Sequence, residues 1–172
     1  MRELKSYFCF KLNNMSNIAI FPGSFDPITR GHENIILRAL PLFEKIIVAV
    51  GQNAEKKGFF TIDQRIDFLK KVFRGHAAVE IDQYSGLTVE YCQQKGAKYI
   101  LRGLRTSADF EFERTIGQVN KKLYPEIETI FLLTLPEYTA INSSVVREIL
   151  KYGGDVSQFI PEGLSLSKDG ID

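Results

Sequence analysis

The chain has 172 residues, 44% of them apolar, which is enough for one substantial core and short for two. Lysine and arginine number 22 against 21 aspartates and glutamates, a formal charge of +1, so there is no broad basic field to grip nucleic acid or an anionic membrane, and any phosphate binding has to be local. Two cysteines, Cys9 and Cys92, and two histidines, His32 and His76, are too few for a disulfide framework or a closed zinc site and fit a cytoplasmic, reducing setting. No apolar run approaches the roughly 18 residues of a membrane span, and the first residues, with Glu3 and Lys5, lack a signal-peptide core.

Met1 to Asn14 shows no clear period, and Met15 stands just before the first strand-like run. We therefore read residues 1–14 as an extension without functional role and residues 15–172 as a single domain. Strands are predicted at Ile18 to Phe21, Ile46 to Val50, Val79 to Ile81, Tyr99 to Leu101 and Thr129 to Leu133, with helical stretches between them. A helix opening at His32 places Ile35, Ile36, Ala39 and Leu40 on one face. Thr61 with Gln64 forms a capping box ahead of Ile66, Phe68 and Leu69. Two more helices follow Leu87 and Ser107. A last one begins near Ser143 and Ser144 and stops at Gly153 and Gly154, and Asp155 to Asp172 reads as one short helical turn and a polar tail. Alternating strands and helices predict an α/β fold, a Rossmann-like, doubly wound, parallel five-stranded sheet with helices on both faces. In such sheets ligands lie beyond the carboxyl ends of the strands, where strand order reverses.

Three segments carry chemistry. Phe21-Pro22-Gly23-Ser24-Phe25-Asp26-Pro27-Ile28-Thr29-Arg30-Gly31-His32 joins the first strand to the first helix: Gly23 lets backbone approach a ligand, the helix start offers unpaired N–H donors to phosphate, and His32 can reach the same anion. Asp26 has turn geometry as its simpler role, with contact to a metal through water as the alternative, shared with Glu113. At the mouth of the last helix, Ile141-Asn142-Ser143-Ser144-Val145-Val146-Arg147 again brings hydroxyls and amides together, although a plain N-cap would look the same. At the end of the fourth strand, Ile100-Leu101-Arg102-Gly103-Leu104-Arg105 offers two guanidiniums, each able to fork onto phosphate oxygens.

Thr29-x-Gly-His32 resembles the T/H-x-G-H motif of the nucleotidyltransferase superfamily, and the segment at Ser143 resembles its I-S-S-T/S-x-x-R motif. With Arg102-Gly-Leu-Arg105, the run Ala108 to Glu113, the pair Lys56-Lys57 and Gly154 to Pro161, the chain from Ile18 to about Pro161 resembles the bacterial phosphopantetheine adenylyltransferase family. The resemblance implies that Ser24, Phe25 and His32 meet ATP, with Gly103, Leu104, Arg105 and Glu113 and the loop Tyr138, Thr139, Ala140, Ile141, Asn142, Ser143 and Ser144 completing its site. It implies that Ser24, Lys56, Thr88 and Arg102 hold 4′-phosphopantetheine, and that the enzyme is a homohexamer. Ser24 stands where threonine is frequent, Tyr138 where tryptophan is, and Asn142 where serine is.

The reaction so implied joins the acceptor's phosphate to the α-phosphorus of ATP, giving dephospho-coenzyme A and pyrophosphate. A phosphate is already nucleophilic at neutral pH, so catalysis reduces to alignment and charge neutralisation, with His32, Lys56 and Arg105 as the catalytic groups. Mg²⁺ is expected to rest mainly on phosphates and water, because the sequence shows no dense carboxylate cluster. The alternatives are another nucleotidyltransferase, such as a nicotinate-nucleotide adenylyltransferase, or a nucleotide-binding module without turnover. The chain has neither a G-x-G-x-x-G nor a Walker loop.

Overall fold

Short apolar runs that fill both faces of a strand belong inside a parallel sheet, and five of them assemble in the order β3-β2-β1-β4-β5, all parallel. The computed structural model describes residues 17–52, 58–167 and 170–171. The strands are β1 (Ile18–Gly23), β2 (Lys45–Gly51), β3 (Val79–Tyr84), β4 (Tyr99–Leu104) and β5 (Glu128–Leu133). Each begins within one residue of its predicted start and most run further, because Pro22, Gly23 and the Arg102-Gly-Leu run continue the ladders to the rim. The predicted doubly wound, Rossmann-like fold is the one observed. Its switch point lies between β1 and β4, the strands whose trailing loops carry the first and third motifs.

The period of two along the strands sorts the core onto two faces. Ala19, Phe21, Ile46, Val48, Val50 and Leu101 point to the side covered by α1 (Arg30–Ala39), α2 (Ile62–Val72) and α5 (Ser143–Lys151). Ile20, Ile47, Ala49 and Ile100 face α3 (Thr88–Lys95), through its Val89, Tyr91 and Cys92. The long α4 (Ser107–Leu123) packs along β4 and β5 and has no buried residue.

Two sequence expectations are corrected. The first helix opens at Arg30, with Thr29 as N-cap, so His32 is its third residue. The stretch after Asp155 is no solvated tail: Val156, Ile160, Leu164 and Leu166 are buried in the larger core, and Arg30 binds this segment through its main-chain N–H to Phe159 O (3.0 Å) and its Nε to Ile160 O (2.9 Å). The capping box at Thr61 forms as predicted, with Gln64 N–H donating to Thr61 Oγ1 (3.2 Å) and Thr61 N–H to Gln64 Oε1 (2.8 Å).

Candidate active site

The turn after β1 is shaped by a crowded ring. Phe25 takes a left-handed backbone (φ 45°), a conformation that costs a bulky residue of order 1–3 kcal/mol and is held here by packing. Its ring is buried against Phe21 (centroids 5.8 Å) and edge-on to His32 (5.4 Å). Gly23 is required for this: a Cβ there would stand 2.9 Å from the Phe25 ring. The Phe25 side chain thus lies beneath the site as a floor, and the Leu104 side chain is likewise buried.

His32 is fixed from below. The Thr29 backbone N–H donates to His32 Nδ1 (3.1 Å), with the Thr29 hydroxyl 2.8 Å from the same nitrogen. A nitrogen that accepts carries no proton, so the neutral ring bears its hydrogen on Nε2, and that N–H is the donor left for a ligand. Burial, reinforced by the positive charges of Arg105 and Arg102, lowers the His32 pKa from 6.5 to about 4. His32 is therefore a neutral hydrogen-bond donor at pH 7, which revises the expectation that it supplies positive charge.

This shift makes stability depend on pH. Between pH 6.5 and 4 the unfolded chain binds a proton that the fold does not, so the contribution is complete above pH 6.5, falls as the pH drops toward 4 and levels off below. The loss is at most about 3 kcal/mol, less because the ring edge reaches water through the cleft. Denaturant midpoints measured across this window should flatten in a His32→Asn variant relative to the parent. Parallel profiles would contradict the burial of a neutral ring.

Arg102 and Glu113 form a fork. Arg102 Nε donates to Glu113 Oε2 (2.8 Å), Nη2 donates to Oε1, and Nη1 donates to Pro22 O (2.6 Å), tying β4 and α4 to the end of β1. Arg105 pairs with Asp109 through Nε (3.1 Å) and Nη2 (3.2 Å), and its Nη1 is hydrogen-bonded to no described residue. Burial opposes ionisation of Asp109, yet the Arg105 side chain and backbone amide outweigh it and hold the carboxyl below its ordinary range. At the mouth of α5 the N-cap is Asn142, not a serine: its Oδ1 accepts from Val145 N–H (3.0 Å), which leaves Ser143 to donate to Pro27 O (2.8 Å) and Ser144 to accept from Arg147 Nη2 (3.0 Å).

These groups line two neighbouring clefts at the switch point. One, of about 370 Å³, brings together His32, Gly103, Arg105, Ile141, Asn142, Ser143 and Ser144, with Asp109 and Arg147. The other, of about 560 Å³, is walled by Thr88, Tyr84 and Gln52 on one side and by Ile100, Ile116 and Asn120 on the other. Ser24, Arg102 and Glu113, with Pro22 and Gly23, belong to both, so the clefts meet at one shared wall. Of the expected site residues, Phe25 and Leu104 are buried and line neither cleft, Tyr138, Thr139 and Ala140 follow β5 at a 3-10 turn and line neither, and Lys56 lies outside the described residues. Asp109 entered the sequence reading only inside the run Ala108 to Glu113 and was given no role, although its spacing of four from Arg105 on a helix start was a usable signal. Ile116 and Asn120 gave none, since only the fold turns them toward β4.

The Cytidylyltransferase-like family model matches residues 20–149. A phosphopantetheine adenylyltransferase from Cytophaga hutchinsonii is 50% identical over 147 residues, 86% of this chain and 98% of its own. The chain belongs to the phosphopantetheine adenylyltransferase family. Among solved structures, a Vibrio parahaemolyticus protein assigned provisionally as a nicotinate-nucleotide adenylyltransferase superposes with TM-score 0.64 at 21% identity over 85% of this chain and 94% of that one. A bifunctional NMN adenylyltransferase/ADP ribose pyrophosphatase from Francisella tularensis gives TM-score 0.61 at 19% identity, covering 85% of this chain and 45% of that longer one. At such identities these two share the fold with the phosphopantetheine adenylyltransferase family and carry no more.

Proposed function

We propose that this enzyme transfers the adenylyl group of ATP to 4′-phosphopantetheine, giving dephospho-coenzyme A and pyrophosphate. The observation that carries the reading is the pair of clefts sharing the wall of Ser24, Arg102 and Glu113: two phosphate-bearing ligands, one in each cleft, would meet there. The smaller cleft suits a nucleoside triphosphate, with the α1 and α5 N-termini, His32 Nε2–H and Arg105 as donors. The larger suits an extended acceptor with an apolar body, with Arg102 at its phosphate end and Thr88, whose hydroxyl is 2.8 Å from Tyr84 Oη, along it. Lys56 is assigned to the acceptor on the family resemblance.

In the transfer, an acceptor phosphate oxygen forms a bond to the α-phosphorus while the bond from that phosphorus to the oxygen bridging it to the β-phosphorus breaks, and pyrophosphate leaves with that oxygen and the electron pair. The chain's part is alignment and stabilisation of charge on the equatorial oxygens, to which neutral His32 contributes a hydrogen bond. Among the described residues no group of three or more potential ligands could hold a metal. Asp26 is occupied by the Phe59 and Phe60 amides and Glu113 by Arg102, so turn geometry rather than metal contact is the role supported for Asp26. A Mg²⁺ carried by the triphosphate fits this donor set, and its chemistry would be charge neutralisation on phosphate oxygens.

The homohexamer reading is supported by α4, whose Phe112, Ile116, Val119 and Leu123 form an exposed stripe beside the edge strand β5, where Leu133 is 71% exposed. Light scattering should give a mass near six chains, and Phe112→Glu should lower it; a monomeric parent would contradict the hexamer. No described helix is long and apolar enough to cross a membrane, and burial pushes the Cys92 thiol up to about 12, which keeps it protonated and unreactive. The reaction itself is tested by phosphorus NMR of enzyme with Mg-ATP and 4′-phosphopantetheine. The acceptor's phosphomonoester signal should convert to a phosphoanhydride as free pyrophosphate accumulates; a persistent monoester would contradict the proposal.

A further inference from the structure

The turn that carries Ser24 is braced from behind by Asp26 and Arg65, which line neither cleft. Asp26 is 7% exposed, and its two carboxylate oxygens accept the N–H groups of Phe59 and Phe60, each at 2.8 Å. Arg65 of α2, 8% exposed, donates from Nε to Phe60 O (3.0 Å) and from Nη1 to Ser24 O (3.1 Å), with Nε 3.9 Å from Asp26 Oδ1. From the other side Arg147 of α5 donates from Nη1 to Asp26 O (2.6 Å). One carboxylate and one buried guanidinium thus join α2, the segment at Phe59 and Phe60, and the turn before α1, while a second guanidinium adds α5.

A buried arginine is costly unless its donors are spent on something that needs fixing. Here they are spent on the carbonyl of Ser24, a residue common to both clefts. We propose that Arg65 is a positioning residue for adenylyl transfer: with Asp26 it sets the Ser24 turn, and hence the relative placement of the two bound phosphates, without touching either substrate. Ground-state contacts in each cleft come mostly from other residues, such as Thr88 and Asn120 in one and Asn142 to Ser144 in the other. The expected signature is therefore a loss in turnover with little loss in binding. A displacement of about 1 Å at the reacting centre can cost about 10²-fold in rate.

This inference rests on the adenylyltransferase reading, which the parent enzyme tests alone: a parent that releases no pyrophosphate fails that reading and says nothing of Arg65. The variant is Arg65→Lys, which keeps the charge beside Asp26 but cannot fork to Ser24 O and Phe60 O at once. With the parent active, kcat should fall about 10-fold to 100-fold, both KM values should stay within about threefold, and the melting temperature should fall by no more than a few degrees. Gly58→Ala disturbs the same brace by a second route, because its Cβ would collide with the Arg65 guanidinium and stand 2.8 Å from Phe60 O, the carbonyl that Arg65 Nε holds, and it should reproduce the kcat loss with native Arg65 in place. A kcat within threefold of the parent in either folded variant would overturn the proposal, and so would a kcat loss accompanied by comparable rises in both KM values.

Discussion

Arg102→Met lowers kcat/KM for 4′-phosphopantetheine about 10³-fold, the largest single effect expected in this enzyme. Unit charges about 4 Å apart in a partly shielded cleft interact by roughly 4 kcal/mol, and about 1.4 kcal/mol is tenfold in rate. The substitution removes that attraction where both clefts meet and also leaves Glu113, whose side chain is only 12% exposed, without its fork and facing incoming phosphates. Two causes can be separated. Adding Glu113→Gln to Arg102→Met removes the unpaired carboxylate and should recover about tenfold, and Arg102→Lys should sit between parent and Met because it keeps charge but not two parallel bonds. Steady-state kinetics on the three variants checks this. An Arg102→Met enzyme within tenfold of the parent would mean that the guanidinium serves only to tie β4 to Pro22.

His32→Ala lowers kcat about 10²-fold or more while the affinity for ATP changes little. The reason lies in the tautomer: Thr29 N–H fills Nδ1, so one preoriented N–H, on Nε2, is available to an oxygen whose charge rises in the transition state. Removal of one such donor in other enzymes costs about 10²–10³ in kcat. His32→Asn, which retains a neutral donor of similar reach, should recover part of the loss, whereas a charged substitute should not. Because the ring is neutral to well below pH 6, turnover should show no His32 limb between pH 6 and 8. Near-normal kcat in His32→Ala would remove it from the catalytic groups.

The parts of this account that were legible in the sequence are those in which one residue's neighbours in the chain are also its neighbours in space. The strand runs Ile46 to Val50 and Ile18 to Phe21 are apolar on both faces, and a sheet covered by helices on both sides demands that. Thr61 with Gln64 is a local device, and it forms as read. The strand-to-helix motif at Ser24 to His32 gave the right end of the sheet and the right helix terminus. What stayed hidden depends on packing across the sequence. Val156, Ile160 and Leu164 are spaced among polar residues and read as a tail, yet they cover the core beside α1. Asp26 read as a turn former, while its carboxylate reaches amides more than 30 positions away. The neutrality of His32 could not be read from a motif, because it follows from the Phe21, Phe25, Arg102 and Arg105 side chains that enclose it.

The most direct test of the central claim is pyrophosphate release from Mg-ATP with 4′-phosphopantetheine, run beside nicotinate mononucleotide as acceptor and CTP as donor. The account predicts release with phosphopantetheine and ATP and background levels with either replacement. Release from another pair, or from none, would contradict the assignment of these two clefts to ATP and phosphopantetheine.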